Sequence, residues 1–441
     1  MQPEKVTFTT KELILLVVIT VSGLLTAVSF GFQLLIGFFP GFGFLIHKII
    51  QKGISFESIR HTAIKGIHRN REIIWLLSLI GILLPSWAII GTVPNMVAFI
   101  LSIIQPEHFL LLAFLMTMVI SMILGTSVGS LSVIGLPLIG TAQALGVPLD
   151  WTAGALISGA FVGDRSSPLS SAFQLLASSL EIETKKQFMA IIPTAFLTII
   201  VSSGLFAWLD QSLALDNRDQ NGASFTWMMT EWIVYIPLVI LIIAVLIGIR
   251  IRYSFMLSIA ASFITLLVKG LPVVEWVHAI VFGIDGIGGF LGMVPFIIFI
   301  SVVGIYSEIL ERYQIVQPYI NKLLNNGQSL TVNSVQGVSL AFAISLISPN
   351  QSFPIILNGR MLLPHWKKYF NPQQLARVVS DSTMVYAGLV PWSLLAVLCS
   401  TILGVPVLQY MMFAFFLWLS PLITIGYSFF REKKAHLAHN I

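Results

Sequence analysis

The sequence predicts an all-α polytopic membrane protein whose apolar helices are broken at a few polar points. Three observations carry that expectation. Of 441 residues, 56% are hydrophobic and 10% charged, and the mean hydropathy is +0.91. A span takes about 20 apolar residues, so the apolar runs leave room for roughly ten or more spans. These runs are also interrupted, most sharply in GALISGAFVGDRSSPLSSAFQ (Gly154–Gln174). There a small-residue helix reaches Asp164 and Arg165 and then meets Ser166, Ser167, Pro168, Ser170 and Ser171. A charge at bilayer depth costs roughly 2.5–3.5 kcal/mol even on the lenient insertion scale, so such residues usually face a cavity. The plain alternative is a pair marking the end of a span at the membrane surface. The hydroxyl run and a second polar break near Asn350 favour a site.

This composition excludes a soluble fold. An isoelectric point near 9.3 reflects basic residues in short loops, the pattern of cytoplasmic loops rather than a nucleic-acid surface. The single Cys399 excludes an intramolecular disulfide. Segment 13–31 has no convincing cleavage site after it and reads as a retained span.

Residues 13–31 and 32–50 are expected to be spans, the second loosened by FFPGFGF. Residues 51–72 read as the longest basic loop, cytoplasmic, with Lys52, Arg60, His61, Lys65, His68, Arg69 and Arg71. Pro85, Gly91 and Pro94 divide 73–104 into a span, a break and an interfacial piece. A helix over 108–124 precedes GTSVGSLSVIGLPLIGTAQALG (125–146), read as a broken element. A span at 187–209 leads to an outside loop, 210–230, with Asp210, Asp216 and Asp219 against Arg218. Spans follow at 231–249 and 254–268. The glycines of GIDGIGGFLG (283–292) read as helix-packing residues opening a span that ends at about Leu310, with Glu308 interfacial. A loop at 311–333 holds Arg312 and Lys322, and a short apolar piece (334–347) runs into SPNQSFP (348–354). Arg360, Lys367, Lys368 and Arg377 mark an inside loop, DSTMVYAGLVPW (381–392) another break, and 394–430 a last apolar region.

Each half therefore carries two interruptions: 125–146 with 163–171, and 348–354 with 380–392. Backbone freed by a broken helix cannot face lipid and must line an enclosed or hydrated cavity. Paired interruptions in corresponding positions point to inverted repeats around a permeation site. The expected organisation is N-terminal spans and a basic loop (1–72), a first transport repeat (73–230), and a second repeat with preceding spans and tail (231–441).

The motifs WAIIGTVPNMV (87–97), GTSVGS (125–130), WTAGALISGAFVGDRSSPLS (151–170), LNGRM (357–361), DSTMV…VPW (381–392) and LGVPVLQYMMFAFFLWLSPL (403–422) resemble the NhaC-type sodium/proton antiporter family, within the wider ion-transporter superfamily. The resemblance extends from about residue 11 to about residue 430. It implies two inverted repeats with re-entrant hairpins, a multi-pass protein of a prokaryotic plasma membrane, and exchange of sodium for protons or of an organic anion together with these ions. The chain departs from the family where an Asp and then an Asn usually follow the GD-[KR]-x-SPLS motif, having Ser171 and Gln174 instead. Where an acidic residue commonly precedes Gln, it has Asn350 before Gln351.

An exchanger can work by competition at one carboxylate that holds either a proton or a desolvated cation. Asp164 and Asp381 are the candidates, followed by Ser166 and Ser167 and by Ser382 and Thr383. Hydroxyl and freed carbonyl oxygens suit a hard cation. Asp381 reads alternatively as a solvated helix N-cap. Arg165 pairs either with another acid or with an anionic substrate, because helix neighbours do not face one another. Asn350, Gln351 and Gln174 either coordinate cargo or satisfy broken backbone. Thr126, Ser127 and Ser130 either ligate or bond their own backbone. The leading function is a secondary Na+/H+ antiporter driven by ion gradients. The alternative is a proton- or sodium-coupled carrier of a malate- or lactate-like anion or an amino acid, and a third is a sensor without transport. No nucleotide fingerprint or metal-ligand spacing occurs, so no cofactor is expected. Expected partners are Na+, H+ or a small organic anion, membrane lipid and a second copy in a homodimer, and no nucleic acid.

Overall fold

A computed structural model describes residues 6–104, 106–213, 232–284, 286–316, 329–348 and 350–439. The chain opens with α1 (Thr10–Ser29) and α2 (Leu34–Gln51), which pack together. Thr9 and Glu12 form a capping box that starts α1. Glu12 also takes Lys48 at 3.4 Å and Lys52 at 2.9 Å from the end of α2, closing the pair.

The basic loop expected at 51–72 is mostly a helix, α3 (Phe56–Arg69). Ser55 caps it, Glu57 sits in its first turn, and His68 and Arg69 sit in its last, each charge opposing the helix dipole. Its apolar face is narrow, with Ile59 buried, so charge density hid the helical period. α4 (Arg71–Ile89) and α5 (Thr92–Ile103) are split at Gly91, as expected.

The structure continues with α6 (Phe109–Leu124), α7 (Ser127–Leu145), α8 (Leu149–Ser166), α9 (Ser171–Leu180) and α10 (Thr184–Ser212). Residues 125–146 are not a broken element. The break is confined to Gly125 and Thr126, after which α7 runs unbroken through Pro137. Small residues there serve burial, and most of α7 is enclosed by the rest of the protein. Asp210 is not in an outside loop. It ends α10, buried, and accepts the Leu110 and Leu111 amides at 2.9 and 3.0 Å, capping α6. Asp216, Arg218, Asp219 and Lys322 lie outside the described residues.

Next come α11 (Ile236–Leu246), α12 (Ile251–Val268), α13 (Val273–Phe282) and α14 (Phe290–Arg312). The glycines before α14 make a tight hairpin rather than a helix-packing surface. Gly283–Ile284 pairs antiparallel with Ile287–Gly288, and Gly283 and Gly286 have φ of 98° and 80°, which side-chain-bearing residues rarely adopt. The chain closes with α15 (Leu330–Ile347), α16 (Ser352–Tyr369), α17 (Pro372–Tyr386), α18 (Leu394–Leu403), α19 (Val407–Tyr410) and α20 (Phe415–His439). The last apolar region is thus not continuous, because α18 and the segment Val407–Phe413 meet at 91°, a broken span or re-entrant loop. Pro372 at the first helical position and the Asn371–Gln374 capping box start α17 ahead of Arg377, which is buried in that helix and not in a loop.

Eight described helices are long and apolar enough to cross a membrane: α1, α2, α4, α7, α10, α12, α14 and α15. This is a multi-pass membrane protein. The helices that carry the polar breaks, α8, α9, α16 and α17, are not among them.

α8 approaches α6 backbone to backbone. A Cβ on Gly159 would lie 2.4 Å from the Phe114 carbonyl oxygen, and one on Gly163 would lie 2.2 Å from the Ser121 backbone. This Gly-x-x-x-Gly stripe is the small-residue solution to close packing in lipid, and the Ser121 hydroxyl crosses it to donate to the Ala160 carbonyl. Gly163→Ala should push the end of α8 off α6 and destabilise the protein by about 1–3 kcal/mol, measured as a lower thermal-unfolding midpoint in detergent. An unchanged midpoint would show that the contact is not tight.

Candidate functional site

The end of α8, the start of α7 and the middle of α17 converge in the bundle interior. Asp164 and Arg165 lie in the last turn of α8, with the break at 167–170. Both are buried in the protein interior. Adjacent on the helix, they point to different neighbours.

Asp164 faces α7. The Ser127 hydroxyl donates to its Oδ2 at 2.8 Å, and Ser127 is the first residue of α7, so the carboxylate lies at that helix N-terminus. The helix dipole adds a favourable field there. Among the described residues no cationic side chain comes within ion-pair distance of Asp164.

Arg165 faces α10 and α17. Its Nη2 donates to Thr194 Oγ1 at 3.1 Å and to Asp381 Oδ1 in a close ion pair, while Nη1 reaches Ser166 Oγ at 3.0 Å. Its Cζ lies 5.8 Å from the centre of the Phe416 ring. Arg165 and Asp381 are both fully buried. Asp381 is therefore not a solvated N-cap but sits inside α17, more than two turns past its start.

The other expected residues divide by what they bond. Ser167 Oγ donates to the Met122 carbonyl at 2.8 Å, and Ser170 Oγ donates to the Asp164 carbonyl at 2.7 Å while capping α9. Gln174 donates to the Pro168 carbonyl, Gln351 to the Met384 carbonyl, and Asn350 Oδ1 accepts the Ser352 amide. These three thus satisfy broken backbone. Ser382 bonds back to Val378 O, Thr126 caps α7, and Ser130 bonds Ser127 O. Ser171 and Gln174 are exposed at the start of α9 and do not join the buried cluster. Thr383 does join it, accepting Asn358 Nδ2 at 3.0 Å.

Thr383 also lines a narrow crevice with Ser345, Ser348, Asn350, Gln351, Pro354, Ala387 and Ser393, at the break between α15 and α16. Asn350 Nδ2 donates to Asn70 Oδ1 at 3.1 Å, tying that break to the turn between α3 and α4. Glu308, expected at an interface, is buried on α14 and holds α3 through Lys65 at 2.7 Å and Arg69 at 3.1 Å. On α3, outside the spans, burial loosens the Arg69 proton, but Glu311 and Glu308 more than offset this and its pKa is raised.

Sequence reasoning missed Asn358, Thr194, Asn70 and Arg377. One signal was legible: Arg377 and Asp381 stand four residues apart, on one face of a single helix. The others bond across helices, and no local pattern marks them.

Residues 222–431 match the Na+/H+ antiporter family. The Na+/H+ antiporter NhaC of Bacillus subtilis is 29% identical over 414 residues, covering 86% of this chain and 88% of that protein. NhaC of Alkalihalophilus pseudofirmus is 25% identical over 401 residues, covering 85% and 86%. The chain is thus similar to NhaC-type Na+/H+ antiporters over most of its length. The malate-2H+/Na+-lactate antiporter of Bacillus subtilis is also similar, 23% identical over 404 residues, covering 86% and 84%. The site's only guanidinium–carboxylate contact among the described residues is Arg165–Asp381.

Breaking that pair from one side should be costly. Arg165→Gln should lower stability by about 3–5 kcal/mol, because it strands a buried carboxylate. Arg165→Gln with Asp381→Asn should recover part of the loss, as read in thermal unfolding of the purified protein. A loss in the double variant equal to the sum of the two single losses would show that the pair is not coupled.

Proposed function

We infer that this protein is a secondary active Na+/H+ antiporter of the NhaC type, with Asp164 as the carboxylate that exchanges one ion for the other. The family supports the cargo. One observation supports the residue: of the two buried acids at the site, Asp381 is already matched by Arg165, whereas the Asp164 carboxylate meets only the hydroxyl of Ser127. A proton or a desolvated cation gains most at a buried charge with no counter-ion. Ser127 positions that charge, and Arg165 and Asp381 lock α8 to α17 behind it. In this reading the halves are the inverted repeats expected from the sequence, each contributing a broken element to a shared pocket.

In proteoliposomes carrying a pH-sensitive dye, Na+ should release protons with the wild type and not with Asp164→Asn. Ser127→Ala should weaken apparent Na+ affinity about tenfold, the scale of one hydrogen bond to a charge. Wild type giving no response to Na+, where a known exchanger responds, would overturn the reading.

A second reading has its own observation. Arg165 Nε is buried without a partner among the described residues, so a substrate carboxylate could claim this guanidinium by displacing Asp381. Uptake of labelled malate or lactate, lost in Arg165→Ala, would favour it over cation exchange.

A further inference from the structure

Arg377 is a second guanidinium in the bundle interior, and nothing in the exchange reading uses it. It is almost fully buried on α17. Its partners are neutral and lie on α20: Thr424 Oγ1 at 3.2 Å from Nε, Ser428 Oγ at 2.8 Å from Nη2, and the Tyr427 ring centre 4.6 Å from Cζ. Ser428 also bonds Ser334 of α15 at 2.8 Å. Among the described residues no carboxylate comes within ion-pair distance of Arg377. A buried ion held only by two hydroxyls and an aromatic ring keeps much of its desolvation penalty, so a counter-charge is to be sought nearby.

One stands on the same helix. Asp381 follows Arg377 by four residues, the spacing that places side chains on one face, and its field reaches the guanidinium; the other ionisable groups that act on Arg377 are Tyr427 and Arg431 of α20. Asp381 gives Oδ1 to Arg165, while its Oδ2 has no hydrogen-bond partner among the described residues. The carboxylate thus has one guanidinium in contact from α8 and a second one turn away on its own helix. In the exchange reading α8 and α17 shift against one another, and a counter-ion on α8 does not follow α17 through that movement. A counter-ion one turn away on α17 travels with the carboxylate.

We propose that Arg377 is the second counter-ion of Asp381, a positioning residue that takes over the open carboxylate oxygen when Arg165 turns away. Its role in turnover rests on the exchange reading; the electrostatic coupling does not.

The test is a double-mutant cycle on the full-length protein with R377K, R377Q, D381N and R377Q/D381N. In thermal unfolding, R377Q should lose stability, R377K should keep most of it, and the double variant should lose less than the sum of the single losses. In proteoliposomes R377Q should lower the maximal exchange rate and leave the KM for Na+ unchanged, since Arg377 does not touch the cargo. Additive losses of stability, or an R377Q protein like wild type in both measurements, would overturn the proposal. So would a raised KM with an unchanged maximal rate. If R377Q does not yield folded protein, its recovery in R377Q/D381N supports the coupling and failure to recover it counts against it. A wild type without Na+/H+ exchange would sink the exchange reading while the unfolding cycle still decides the coupling.

Discussion

The ion pair between Arg165 and Asp381 joins the last turn of α8 to the middle of α17, and both groups are shut off from solvent. Removing two such charges from water costs several kcal/mol each, and their attraction repays this only when geometry and further hydrogen bonds are good. The surroundings meet that demand. Thr194 and Ser166 take guanidinium protons, and the Phe416 ring lies beside it. The Gly159 and Gly163 stripe lets α8 run so close to α6 that its final turn is fixed where Asp381 can reach it. Asp164 is then set against the N-terminus of α7 by the same turn.

The breaks obey a second constraint. Peptide groups released where a helix stops cannot be left facing hydrocarbon. Gln174, Gln351, Asn350, Ser167 and Ser170 meet it by bonding freed carbonyls and amides at the two interruptions. Most of the polar side chains that look available for cargo are therefore committed to the backbone. What stays uncommitted at the site is small: Asp164 without a cation, and single buried atoms of Arg165, Ser380, Asp381 and Asn358 among the described residues. Function is read more safely from these remainders than from the number of polar residues near a break.

α3 shows how far the site's supports extend. Its Gly66 meets Gly304 of α14 backbone to backbone, Glu308 clamps it through Lys65 and Arg69, and Asn70 at its end reaches Asn350 in the second break. A basic stretch that reads as a loop is in this way attached to the interior.

The all-helical membrane class was legible from the sequence alone, because lipid demands long apolar runs and tolerates backbone irregularity only where it is enclosed. So were the breaks after Asp164 and near Asn350, since Ser, Pro and charge in apolar sequence have few other uses. Local pattern failed where one residue type serves two purposes. The glycines and serines of 125–146 read as a break and instead pack a continuous α7, and the basic residues of 51–72 and Arg377 read as loop markers although they belong to α3 and α17. The hairpin before α14 and the bend after α18 were likewise hidden in apolar sequence. Only tertiary structure decided which acid meets which base. Arg165 and Asp381 are 216 residues apart, and no periodicity in either helix records a contact that arises when two separately formed helices pack.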